Sequence, residues 1–325
     1  MSTETGHYAP MTPTQEATFT DLLAVGGARP YAPVGLVEEL RATLEDGTRA
    51  TLERWTERTL WLSKGQLFAA LRCEGQFRAD RETVRPSGKH PATAVGDVTH
   101  RAIQLAYTHP GRPVAEYIRH AVASLRGSDT DFDEFYTEAD MATQSDVVMQ
   151  ATSRVTAFLD SWPRLQDDWA PRFEEPIQAK IGGLTLSARV DLLLGRPRAT
   201  GQQTMFIADW KSGALRDNHV DEAMFYALVA TLRHGIPPYR STVYSLASGT
   251  FTDPDVTAER LRAAAAQVVA GVSAIVDVLT ERRAPDLTAG PHCSYCPLKT
   301  TCPAFEAAQQ ATVTGSTGAP ASSAA

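Results

Sequence analysis

Two short stretches carry residues able to do chemistry on an anionic substrate. The run "TMFIADWKSG", residues 204–213, is apolar and then ends in Asp209, Trp210 and Lys211. The run "LSARVDLLLG", residues 186–195, holds Asp191 inside a second apolar segment. Side chains alternate along a strand, so Asp209 and Lys211 share one face and Trp210 takes the other. The apolar residues before them belong in a core, which puts the two charges where the strand emerges. A lone carboxylate within an apolar strand is costly unless something compensates it. A divalent cation shared by Asp191 and Asp209 would do so. Hard cations such as Mg2+ take oxygen ligands, commonly one or two carboxylates with water and substrate phosphate. The competing explanation is structural, an ion pair of either aspartate with Lys211 or Arg189.

A second group is sulfur. Cys293, Cys296 and Cys302 fall within "GPHCSYCPLKTTCPAF", residues 290–305, and the fourth cysteine, Cys73, stands more than two hundred positions upstream. The polar N-terminus "MSTETGHYAPMTPTQEATF" lacks the charged and apolar regions of a signal peptide, so a cytoplasmic location is expected. A structural disulfide is then improbable. Four thiolates suit zinc or a cubane iron–sulfur cluster. Zinc ribbons usually use two close pairs of cysteines, unlike this one-plus-three division.

The elements that must position these residues follow from patterning. The chain has 325 residues, 43% of them hydrophobic, with a net charge of −7. That is enough for one large domain or two ordinary ones, and the whole surface does not advertise nucleic-acid binding. A local basic stretch, with Arg72, Arg78, Arg81, Arg85 and Lys89, fits either a solvated loop or one that contacts phosphate. No run of about 18 apolar residues is apparent, so no membrane span is expected. Residues 1–16 and 308–325 read as disordered ends, and 17–60 as a helical extension. Helices are expected over 95–107 and through most of 114–170. A hairpin should turn at Gly182-Gly183. A third strand at 204–213, a helix at 219–233, a fourth strand from Tyr239 and a long helix over 255–282 complete the order. Helices on both faces of a mixed sheet make the fold α/β, or α+β by a stricter classification.

An aspartate on one strand followed by Asp-x-Lys on the next resembles the PD-(D/E)XK nuclease arrangement. Gly96-x-x-x-His100 resembles the segment that RecB-like nucleases place before the core, where the histidine ligates metal. Those nucleases carry Gln-x-x-x-Tyr on the helix after the third strand. Tyr226 fits, whereas Glu222 replaces the glutamine. One cysteine before the core and three after it, spaced C-x2-C-x5-C, is similar to the iron–sulfur branch of the family. That branch covers the CRISPR-associated RecB-family exonuclease and the AddB-type nuclease domain. The likeness spans roughly residues 61–307. It implies a restriction-endonuclease-like core and an exonuclease acting on single-stranded DNA ends. His100, Asp191, Asp209 and the carbonyl of Trp210 would hold Mg2+ or Mn2+, and Lys211 would act on the attacking water. Glu174 or Glu175 would add a carboxylate, and Tyr226 and Glu222 are candidate DNA contacts. Cys73, Cys293, Cys296 and Cys302 would hold a 4Fe–4S cluster, a clasp between the two ends of the domain. A helicase or a CRISPR or recombination protein would be the partner. A subunit of such a complex that binds nucleic acid without cutting is the other reading, with a zinc-stabilised structural protein as a third.

Overall fold

The structure, a computed structural model, describes residues 10–56, 59–83 and 89–315. The expectations for residues 1–9, for 316–325 and for Arg85 lie outside them. In chain order the elements are α1 (Pro13–Ala17), α2 (Leu36–Leu52), β1 (Leu60–Ser63), α3 (Lys64–Arg72), α4 (Glu74–Glu82), α5 (Pro91–Thr108), α6 (Val114–Ser128), α7 (Thr130–Glu138), α8 (Met141–Ser161), β2 (Arg172–Ile181), β3 (Leu184–Leu194), β4 (Phe206–Lys211), α9 (His219–His234), β5 (Arg240–Ser245), α10 (Ala258–Leu279) and α11 (Pro303–Gly315). The strands form a mixed sheet in the order β1-β3-β4-β5, with β2 paired to β3. This central mixed sheet flanked by helices is consistent with a restriction-endonuclease-like fold.

Two compact units divide the chain. The first comprises Met1–Glu38, Ser87–Ala179 and Ala188–Ala264; the second comprises Glu39–Pro86, Lys180–Ser187 and Ala265–Ala325. In the first unit, β3 and β4 run antiparallel with Leu192 opposite Ala208 and Leu194 opposite Phe206. β4 and β5 run parallel in register from Phe206–Arg240 to Lys211–Ser245. A parallel pair needs a crossover, and α9 supplies it. Alternation then sorts the strand side chains. Leu192, Leu194, Phe206, Ala208 and Trp210 join one buried cluster with Val95, Val98 and Ala102 of α5 and Val147, Ala151, Val155 and Phe158 of α8. Those helix positions recur at three- and four-residue spacing, which aligns them on one stripe of each helix. Aromatic rings fill the centre: Phe158 lies 4.9 Å from Trp210 and 5.2 Å from Trp162, and Trp162 lies 5.3 Å from Tyr244. Such edge and offset contacts add about 0.5–1.5 kcal/mol per pair beyond burial.

In the second unit, β1 pairs parallel with the start of β3, Leu60 beside Leu184 through Ser63 beside Ser187. The hairpin tip is closed by Gly182, whose φ of 54° favours glycine. Ser63 then caps α3: its hydroxyl accepts from the Gln66 amide, and Gln66 answers at the Ser63 amide. Gly271 of α10 lets Leu67 of α3 approach, since a Cβ there would fall 2.2 Å from Leu67. Glu74 ties α4 to the segment after α10. It accepts two bonds from Arg283 at 2.5 Å and one from the Asp286 amide at 2.8 Å.

Several expectations change. The first long helix stops at Leu52, short of the end of the stretch read as a helical extension, and β1 begins at its last residue, Leu60. Residues 13–17 are helical with a capping box on Thr12, and α11 continues to Gly315, into the segment read as tail. Among the described residues, two of the five in the basic stretch are in ion pairs: Arg78 meets Glu82 at 2.6 Å and Glu281 at 3.0 Å, and Lys89 pairs with Asp97 at 2.8 Å and with Asp129. Contrary to the reading of the apolar runs, α10 is long and apolar enough to cross a membrane by length and composition, with a mean hydropathy of 1.5. Half of its most apolar stretch is buried within the protein, and Leu261, Val268, Val272 and Val276 are among the buried residues of the helix.

Candidate active site

β3, β4, α5 and β2 each deliver one part of the site, all within the first unit. Asp191 stands directly beyond the last β3–β4 register pairs, where the backbone ladder gives way to a side-chain contact. Its Oδ2 accepts from the Trp210 amide at 2.5 Å. A strand residue sends its amide and carbonyl to the same side, so the Trp210 carbonyl also faces the Asp191 side. The other oxygen, Oδ1, lies 3.2 Å from Nδ1 of His100 on α5. Trp210 steadies that imidazole edge-on, with ring centroids 6.1 Å apart.

Glu174 completes the group. One ligand atom each from His100, Glu174 and Asp191 lies within 4.8 Å of the other two. The sequence offered Glu174 and Glu175 without a means to choose. The structure separates them: Glu175 pairs with Arg172 at 3.3 Å, while Glu174 sits in the cluster. Glu174 adopts a φ of 51° within a strand, a conformation an L-residue holds only when its surroundings impose it. Burial raises the Glu174 carboxyl, and the Asp191 charge adds to this. At His100, burial favours the neutral ring, but the charge and hydrogen bond of Asp191, with help from Asp209 and Glu174, outweigh it. The imidazole pKa is held up at about 9. One nitrogen and two carboxylates converging in this way suit a divalent cation of the Mg2+ or Mn2+ kind.

Asp209 lies next to this group but turns toward α9. Its Oδ1 accepts from the Tyr226 hydroxyl at 2.8 Å, and its Oδ2 lies 2.5 Å from the Lys211 ammonium. The alternation expected of Asp209, Trp210 and Lys211 therefore holds, and the ion pair weighed as a structural alternative exists for Asp209. Glu222 is 3.6 Å from Lys211 and accepts from Asn218 at 3.0 Å. Its carboxylate thus faces the lysine, and its side chain is only 13% exposed. Burial pushes the Tyr226 hydroxyl well up, and the Asp209 charge adds to that, so it stays a donor.

His100, Glu174, Asp191, Trp210 and Lys211 line one wall of a cleft of about 740 Å³. Arg101 and Gln104 of α5 line it as well. The sequence did not single out either residue; a spacing of four residues from His100 is the signal that places Gln104, and no such signal marks Arg101.

No curated protein matches the chain. Residues 62–303 match the family model of the PD-(D/E)XK nuclease superfamily. That span runs from β1 to the start of α11 and contains His100, Glu174, Asp191, Asp209 and Lys211, and the chain belongs to the PD-(D/E)XK nuclease superfamily.

Proposed function

We propose that the chain is a Mg2+- or Mn2+-dependent deoxyribonuclease that hydrolyses phosphodiester bonds at single-stranded DNA ends. The observation that carries this reading is the convergence of His100, Glu174 and Asp191 beside the Asp209–Lys211 pair. Superfamily membership supports a metal-dependent nuclease acting on DNA. The preference for single-stranded ends follows from the resemblance to RecB-like exonucleases. A divalent ion held there would polarise the scissile phosphate and lower the pKa of a bound water. The chain's own residues do the rest. Asp191 and Glu174 hold the positive centre, and His100 joins them once its proton leaves. Lys211 orients the attacking water and stabilises negative charge that develops on the phosphate oxygens. Asp209 fixes the lysine, and Tyr226 fixes Asp209. The test is cleavage of an end-labelled single strand. EDTA should stop it, and added Mg2+ or Mn2+ should restore it; cleavage that persists in EDTA would overturn the reading.

A 4Fe–4S cluster on Cys73, Cys293, Cys296 and Cys302 belongs to the same proposal. The four cysteines are free thiols, with Cys73 and Cys293 buried. Burial raises the Cys296 thiol, and the Cys73 and Cys293 sulfurs add to that rise, as neighbouring thiols would. Cys73 is drawn to this end of the chain by its contacts: its Sγ lies 4.0 Å from the Asp286 carbonyl, and the Gly75 amide donates to the same oxygen at 3.2 Å. These placements suit a multi-thiolate site in the second unit, and the spacing C-x2-C-x5-C favours iron–sulfur over zinc.

A second reading, a subunit that binds nucleic acid without cutting, draws on Glu222. Its carboxylate beside Lys211 competes with phosphate for the lysine. Absence of cleavage under every metal condition, with DNA binding intact, would favour it.

A further inference from the structure

A pocket of about 410 Å³ lies in the first unit, at the opposite end of β4 from Lys211. It takes in Phe206, where β4 begins, and Leu194, where β3 ends. Phe206 and Lys211 are five residue steps apart, roughly 16 Å along a strand. The pocket therefore lies apart from the carboxylate cluster.

Its lining has two characters. Half-buried Trp169 and Tyr239 give it aromatic walls, backed by the buried Leu23 and Phe206. Arg29, Arg196 and Arg198 face it against a single carboxylate, Asp168. Three arginines to one acid is a local excess of positive charge in a chain of net charge −7. Arg196 and Arg198 are exposed, so their guanidinium groups meet solvent and anything dissolved in it. Arg29 is fixed differently. Its guanidinium lies 3.8 Å over the Tyr239 ring and donates to the Ala24 carbonyl at 2.9 Å. The Tyr239 hydroxyl in turn donates to the Leu23 carbonyl at 2.8 Å.

The pocket is also rigidly framed. Ala170 holds a φ of 48° and Gly195 a φ of 77°. The Gly195 amide donates to the Trp169 carbonyl at 2.6 Å, and a Cβ on Gly195 would fall 2.1 Å from the Thr204 carbonyl oxygen. Glycine takes its conformation without strain, whereas Ala170 holds a left-handed φ only because its surroundings impose it, as happens in preorganised sites. Beside the pocket, residues 30–32 pair with 201–203, through Gln203 to the Pro30 carbonyl at 2.9 Å and Ala32 to the Gly201 carbonyl at 3.0 Å. That pairing presents Tyr31, 67% exposed, opposite the pocket-lining Gln202.

We propose that this pocket is a nucleotide-binding subsite separate from the cleft, receiving a base against its aromatic wall while Arg196 and Arg198 meet the adjoining phosphate. An inorganic anion would have no use for the apolar wall, and an uncharged apolar ligand would have none for the arginines. A nucleotide uses both, and aromatic platforms interleaved with arginine are the usual means of holding single-stranded nucleic acid. Tyr31 extends the platform to a neighbouring base. The choice of a nucleotide rests on superfamily membership and not on cleavage at the carboxylate cluster.

The test is fluorescence anisotropy of a labelled oligo-dT strand with the full chain in EDTA, so that cleavage plays no part. The Arg196→Ala/Arg198→Ala double variant should bind roughly tenfold or more weakly, with a log–log salt slope shallower by about one to two. Tyr31→Ala should weaken binding by roughly fivefold or more. A strand bearing 5-iododeoxyuridine should crosslink to peptides containing Trp169, Tyr239 or Tyr31. Free dTMP separates the two sources of the same chemistry. If it competes only weakly, the subsite reads a strand; if it competes fully, the subsite takes the free nucleotide. Either result supports the proposal, provided the double variant loses that binding. A double variant that binds both oligo-dT and dTMP like the wild type would overturn it, as would crosslinks confined to other peptides. Loss of cleavage alone would leave these readouts unchanged, so failure of the proposed nuclease activity and failure of this subsite are distinguishable.

Discussion

His100 would couple the proposed metal site to pH. Its imidazole pKa, about 9, lies above the usual 6.5 because Asp191, Asp209 and Glu174 together outweigh burial. A protonated ring cannot ligate a metal, so an incoming cation must displace that proton. Mn2+ affinity should therefore rise as pH increases from about 7 to 9, with close to one proton released per ion. Calorimetry in buffers of different ionisation enthalpy would measure both, and affinity that is flat over this range would contradict the account. Much of this neighbourhood was legible in the sequence. Asp191 and Asp209 stood out as carboxylates in apolar strands, and Lys211 shared a face with Asp209. Glu174 was harder to select from Glu175, because its position depends on a left-handed φ that strand alternation does not encode. Nor could the sequence show that Asp209 is gripped by Tyr226 and Lys211, since that contact forms only when α9 packs against β4.

Among the elements, the junction of α4 with the segment after α10 is held by one buried carboxylate. The Arg283 hydrogen bonds hold the Glu74 carboxyl below its usual 4.5, against burial, which pushes it up. A lowered carboxyl pKa gives stability that is present above the unfolded value and is lost as pH falls through the folded one. Glu74→Gln should then cost roughly 1–2 kcal/mol at pH 7, from weakened charge-assisted bonds to the half-exposed Arg283. That deficit should shrink as pH drops below about 4.5. Denaturant midpoints for the two proteins across pH 3–7 would check this, and a constant difference would refute it. The hairpin at Gly182-Gly183 and the helix stripes were readable because each rests on local chemistry with a fixed period. β1 was not. It has only four residues, Leu60–Ser63, and its strand character comes from a parallel partner more than a hundred residues away. The end of α2 at Leu52 was lost with it, because nothing in "TLERWTER" breaks a helix outright.

At the scale of the whole molecule, two metal centres are expected to serve different ends, chemistry in the first unit and a clasp in the second. Anaerobically purified protein should contain close to four irons per chain, and Cys73→Ala should lose them as fully as Cys296→Ala. A four-thiolate link closing so long a loop removes unfolded-state entropy worth on the order of 5 kcal/mol, by analogy with disulfides. Iron retained in full by Cys73→Ala would contradict the clasp. EDTA-reversible loss of cleavage should leave that iron in place, which keeps the two centres experimentally separate. The central claim is that the carboxylate cluster binds the ion that cleavage requires, and Asp191 is the residue on which both depend. The most direct measurement is a Mn2+ titration of wild type and Asp191→Ala, followed in parallel by ion binding and by cleavage of an end-labelled single strand. The account expects the wild type to bind Mn2+ and cut over the same concentration range, and the variant to do neither while keeping its fold and iron. Cleavage by Asp191→Ala at the wild-type rate would contradict it.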